Sequence, residues 1–122
     1  MQPRVQVVKA SVTLLPELKN GRRISAQPYR PHIVIGPTSQ REAKIAAGNR
    51  LIEPYLGIQF CAGPDELKPG ATTTAKFILM YFHDSPELYR EVVPGATFTI
   101  REGAKVVGYG TVEKRADESL AV

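Results

Sequence analysis

The sequence has one cysteine, Cys61, no tryptophan and only two histidines, His32 and His83. A lone cysteine makes no internal disulfide, so nothing in the chain calls for an oxidising compartment. Two histidines and one cysteine fall short of the four ligands of a common structural zinc site, and neither a metal nor any other cofactor is expected. No apolar run approaches the roughly 20 residues that cross a bilayer, so no membrane partner is expected either. Met1-Gln2-Pro3-Arg4 lacks the basic-then-apolar layout of a secretory signal. A reducing cytoplasm is the expected location.

Acidic residues are scarce in the first half. Residues 1–50 hold nine Lys/Arg against two acids, whereas residues 51–122 hold seven against ten, and the net charge of +4 hides this asymmetry. The cations are Arg4, Lys9, Lys19, Arg22, Arg23, Arg30, Arg41, Lys44 and Arg50. If they converge, they form a phosphate-facing patch, because clustered cations gain affinity by displacing counterions from a nucleic acid. If they scatter, they only solubilise.

At 122 residues the chain has the size of one domain, expected over residues 1–115 with a frayed tail at 116–122. Val8, Ala10, Val12 and Leu14 alternate with Lys9, Ser11 and Thr13, a period-2 strand pattern. Pro16 and the polar stretch through Asn20-Gly21-Arg22-Arg23 end that strand in a basic loop. His32-Ile33-Val34-Ile35 predicts a second strand and Leu56 to Phe60 a third. Thr72 to Tyr81 reads as the longest, with Thr73, Ala75, Phe77, Leu79 and Tyr81 on one face. Thr97 to Ile100 and Val106 to Val112 form a hairpin across Arg101-Glu102-Gly103-Ala104-Lys105.

One short helix is expected, after the capping-box pattern Ser39-Gln40-Arg41-Glu42 and across Lys44 to Ala47. Short strands between Pro/Gly turns, with at most that helix in an insertion, point to an all-β sandwich or closed barrel. Gly108 and Gly110, two apart on one strand face, favour the barrel, because they suit tight curvature or a close backbone approach.

No catalytic set stands out, and no enzyme is expected. Cys61 beside His83 is the only nucleophile pairing worth naming, but a lone cysteine after an apolar strand reads as a small buried core residue. Asp84, Glu87 and Glu91 read as a solvated loop. Tyr29, Tyr55, Tyr81, Tyr89 and Tyr109 lie among basic residues as base-stacking sites do, yet a tyrosine in a strand ordinarily buries its ring and exposes its hydroxyl.

The run Phe98-Thr99-Ile100-Arg101-Glu102-Gly103-Ala104-Lys105-Val106-Val107-Gly108-Tyr109-Gly110-Thr111-Val112 resembles the last hairpin of the third domain of elongation factor Tu. That end reads Phe-x-Ile-Arg-Glu-Gly, three variable positions, then Val-Gly-x-Gly-x-Val in the family. An opening strand, a Gly-Arg loop leading to Tyr29-Arg30-Pro31, and Pro69-Gly70 before a long strand agree in order. The resemblance implies a closed, six-stranded Greek-key barrel. Elongation factors hydrolyse GTP in a separate domain through Gly-x-x-x-x-Gly-Lys-Ser/Thr; this sequence contains no such run, so no GTP binding is expected.

In that family the third domain contacts the T stem of aminoacyl-tRNA, partly through the Arg-Glu-Gly turn. The resemblance therefore implies tRNA, other RNA or a translation protein as partner, with Arg22, Arg23, Arg30, Arg101, Glu102 and Gly103 as nucleic-acid-binding candidates. The same turn also reads as an ordinary hairpin end, with Gly103 supplying positive φ and its neighbours facing solvent. The chain departs from the family at His32, usually Gln, and around Tyr81, where a lysine is expected. It is also longer across residues 37–68 and 83–93. Two readings follow: a non-catalytic RNA-binding module, or a protein-interaction module that uses the two insertions.

Overall fold

The computed structural model describes residues 4–18, 20–24, 28–48 and 50–119. In chain order the strands are β1 (Arg4–Leu14), β2 (Arg22–Arg23), β3 (His32–Ile35), β4 (Ile45–Ala46), β5 (Arg50–Leu51), β6 (Leu56–Ala62), β7 (Glu66–Leu67), β8 (Thr72–Leu79), β9 (Thr97–Glu102) and β10 (Lys105–Ser119). The expectation of a mostly-β chain is borne out. A single 3-10 turn, Pro86–Tyr89, supplies the helical geometry found among the described residues.

The period-2 pattern of β1 carries through to packing: Val8, Ala10, Val12 and Leu14 are buried while Lys9 is exposed. Six strands pair in the order β1-β10-β9-β3-β6-β8, and β8 pairs again with β1, so the hydrogen-bonded ladder closes on itself. Closure leaves the six strands no free edge, the usual route to unwanted pairing. Inside the ring, Phe77 meets Phe60 and Phe98 edge-on at centroid distances of 5.6 and 5.9 Å, geometries aromatic quadrupoles favour. Two small sheets, β2-β7 and β4-β5, lie outside it.

Two tight approaches lie on β10. A Cβ at Gly108 would stand 2.6 Å from the Thr13 carbonyl oxygen, and one at Gly110 would stand 2.3 Å from that of Ser11. The close backbone approach expected of these two glycines is present. The β9-β10 hairpin is also as expected, with Glu102 opposite Lys105 and Gly103 at φ 60° in the two-residue turn.

Four expectations are overturned. Residues 39–47 form no helix; instead Ile45 and Ala46 pair with Leu51 and Arg50. The Lys44 N–H is satisfied by the Glu53 carboxylate at 2.8 Å, and Gln40 donates to the same carboxylate, so the local capping box gives way to a partner nine residues on. Residues 116–119 are not frayed, because β10 continues to Ser119 opposite Arg4, and residues 120–122 lie outside the described chain. The long strand ends at Leu79, and Tyr81 stands exposed in the following turn. Cys61 is exposed rather than buried, because it is the extra residue of a bulge between Phe60 and Ala62 that turns it out of the ladder.

Candidate functional site

The Arg-Glu-Gly turn divides its side chains between two faces, as adjacent strand residues must. Arg101 is fully buried, whereas Gly103 is exposed at the tip. The Arg101 guanidinium donates to both Glu53 carboxylate oxygens at 2.9 and 3.2 Å, to the Tyr55 hydroxyl at 3.0 Å and to Thr99 Oγ1 at 2.9 Å. Glu53 and Tyr55 come from the 37–68 insertion, which folds over this strand face. Arg101 is not a solvent-facing hairpin end; it is an internal cation that holds the insertion down.

The Arg101 guanidinium, together with the Lys44 N–H and Gln40, holds the Glu53 carboxyl down at about 2. A depressed carboxylate contributes stability that is complete above its unfolded value, near 4.5, and fades as pH falls toward its folded value. Acid denaturation is therefore expected to show a stability loss of about 3 kcal/mol between those limits. Urea midpoints measured from neutral pH down to about pH 2.5 would record it, and Glu53→Gln should flatten that slope.

Glu102 faces the other way and is half-buried. Arg22 donates to its two oxygens at 2.7 and 3.0 Å, and the Tyr29 hydroxyl donates at 2.6 Å. Arg22 chiefly, and Tyr29 with it, lower the Glu102 carboxyl against the opposing effect of burial. Burial, then the Glu102 contact, pushes the Tyr29 phenol up. The ring of Tyr29 stacks on Phe60 at 5.6 Å, so it serves the core rather than a base. The Gly-Arg loop is thus latched to the closing hairpin, and Arg22 is engaged.

A third arginine completes the pattern. Arg115 lies over the Phe82 ring and donates to the carbonyls of Tyr89 and Val92, at 2.8 and 3.2 Å. The Tyr89 carbonyl ends the 3-10 turn of the 83–93 insertion, where a cation is favoured, and the Val92 carbonyl lies three residues beyond it. Tyr89 is itself buried and donates its hydroxyl to the Gly57 carbonyl at 2.8 Å. Asp84, Glu87 and Glu91 are exposed, as a solvated loop should be. The His83 ring meets the Arg4 carbonyl at 2.6 Å, which engages the one histidine considered as a base for Cys61.

Of the six candidate residues, the structure brings Arg22 and Glu102 together and buries Arg101 apart from them. Arg23 and Arg30 are exposed and hold no ion pair among the described residues. Sequence reading named Lys9 among the cations but missed the two lysines that flank it. Strand register places Lys9 opposite Lys114 on β10 and opposite Lys76 on β8, so three lysines stand side by side on the outer face. None of them forms an ion pair among the described residues. Like charges directly opposite one another on neighbouring strands repel, so the row is an electrostatic cost to the fold. Its only sequence signal is that Lys9 and Lys76 each lie on the face of their strand opposite the apolar one.

In comparisons with known proteins, no family model matches the chain and no curated protein matches it. No helix among the described residues is long and apolar enough to cross a membrane. No group of three or more metal-ligating side chains occurs among them.

Proposed function

We propose that the chain is a non-catalytic RNA-binding module, built on a Greek-key barrel like the third domain of elongation factor Tu and acting on tRNA or another RNA of the translation machinery. The closing-hairpin sequence and the six-strand ladder that returns to its first strand support the fold reading. The observation that carries the RNA reading is the unpaired row Lys76-Lys9-Lys114. Three aligned ammonium groups without carboxylate partners are stabilised by a polyanion, which converts their mutual repulsion into attraction.

In this reading the Arg101-Glu102-Gly103 turn is structural, and the RNA surface lies on the neighbouring β8-β1 and β1-β10 ladders. The testing measurement is an electrophoretic shift with bulk tRNA at about 50 and about 200 mM salt. Retarded RNA that is released at the higher salt is the expected result. An unretarded tRNA at the lower salt, with the protein folded, removes the reading.

A further inference from the structure

We propose that the outer face where β10, β1 and β8 meet is a phosphate-binding groove that takes two consecutive phosphodiester groups of an RNA strand. The proposal rests on the RNA reading above and locates its contact surface. Two depressions lie side by side on this face. One, of about 220 Å³, is lined by Val7, Lys9, Lys76, Lys114, Ala116 and Glu118. The other, of about 170 Å³, is lined by Lys9, Ala62, Gly63, Thr74, Ala75 and Lys76. Lys9 and Lys76 belong to both, so the depressions form one groove running across the strands, with a lysine pair at its waist.

The lining suits a small anionic group such as a phosphate. Small side chains leave room at the floor, while each lysine offers a point charge with three rotatable donors on a flexible stem. Each depression is bordered by Lys9 and Lys76; Lys114 adds a third cation to the first and Thr74 a hydroxyl to the second. The lining holds no aromatic ring and no side-chain amide to read a base edge. Contacts of this kind fix a backbone without selecting sequence. Glu118 is the one carboxylate in the lining, and its charge opposes a phosphate in the first depression.

The test uses the full chain and a short single-stranded RNA, with affinity followed by fluorescence anisotropy against salt. Replacing Lys9, Lys76 and Lys114 together by glutamine should reduce the slope of log affinity on log salt by about 1.4 units, the share of two phosphates of a single strand. Affinity at about 50 mM salt should fall at least about tenfold. Thermal stability should stay level or rise, because the change removes like-charge repulsion; lysines with a structural role would lower it. Glu118→Gln should tighten binding. Pyrophosphate, titrated separately, should shift the backbone amides of residues 7–9, 62–63, 74–76 and 114–116.

RNA binding with an unchanged slope in the triple variant overturns the groove and leaves the RNA reading standing. Pyrophosphate shifts at those amides without RNA binding overturn the RNA ligand and support an anion groove alone. Neither signal overturns both.

Discussion

Replacing Arg101 by alanine is expected to lower the unfolding free energy by about 3–5 kcal/mol, because it strands the Glu53 carboxylate without its cation in a covered site. The carboxylate side chain is only 7% exposed, so water cannot replace the lost donors. An ordinary domain has roughly 5–15 kcal/mol in all, and the variant should be marginal or unfolded at room temperature. Urea unfolding measures the loss directly. Replacing Arg101 and Glu53 together by leucine should recover most of it, since a buried ion pair contributes little against an apolar filling of similar size. That double variant should also retain RNA affinity. Affinity lost in a folded double variant would return Arg101 to the list of RNA contacts.

Gly110→Ala is the second large effect, for a steric reason. The new methyl would meet the Ser11 carbonyl oxygen at 2.3 Å and the Phe98 ring at 2.6 Å, and the first of these belongs to paired backbone that cannot step aside alone. Overpacking ordinarily costs about 1–3 kcal/mol, and contact with a ladder carbonyl puts this substitution at or above the upper end. Trimming Phe98 to leucine in the same chain should relieve little, because the carbonyl remains. Gly36→Ala is the control: the nearest atom to its added carbon is Gln40 Oε1 at 3.8 Å, ordinary contact. Melting temperatures of the three variants decide it. A Gly110→Ala protein as stable as the control would mean that β1 and β10 separate at little cost.

What the sequence made legible were features written within a single strand. Alternation identified β1, β6 and β8, because a side chain's face is fixed by its own neighbours, while a β-branched run marked β3 and a turn between two apolar segments marked the β9-β10 pair. Gly108 and Gly110 were legible for the same reason: two glycines on one face leave a gap that something must fill. Arg101 was not. It occupies an outward position of β9, and only the fold of residues 53–55 over that position buries it. The absent helix has the same origin, since the Ser39 pattern is local while the Glu53 carboxylate that replaces it is oriented by Arg101, 48 residues away. Lys76 and Lys114 were invisible as a site because their neighbour, Lys9, lies on a third strand, and register between strands is not spelled out in any one of them.

The pairing of β1 with both β8 and β10 also sets the order in which the molecule can assemble. β1, made before both of its neighbours, is held on one side by residues 72–78 and on the other by residues 108–119. During synthesis, at roughly 5–20 residues per second, β1 must wait several seconds for either neighbour. Until then it is an eleven-residue strand with both edges open. Such distant pairings place a chain among the slower two-state folders, in the millisecond-to-second range, and leave the waiting segment exposed to association with other nascent chains. Production yield should accordingly depend on temperature and expression rate more steeply than the finished molecule's stability alone would suggest.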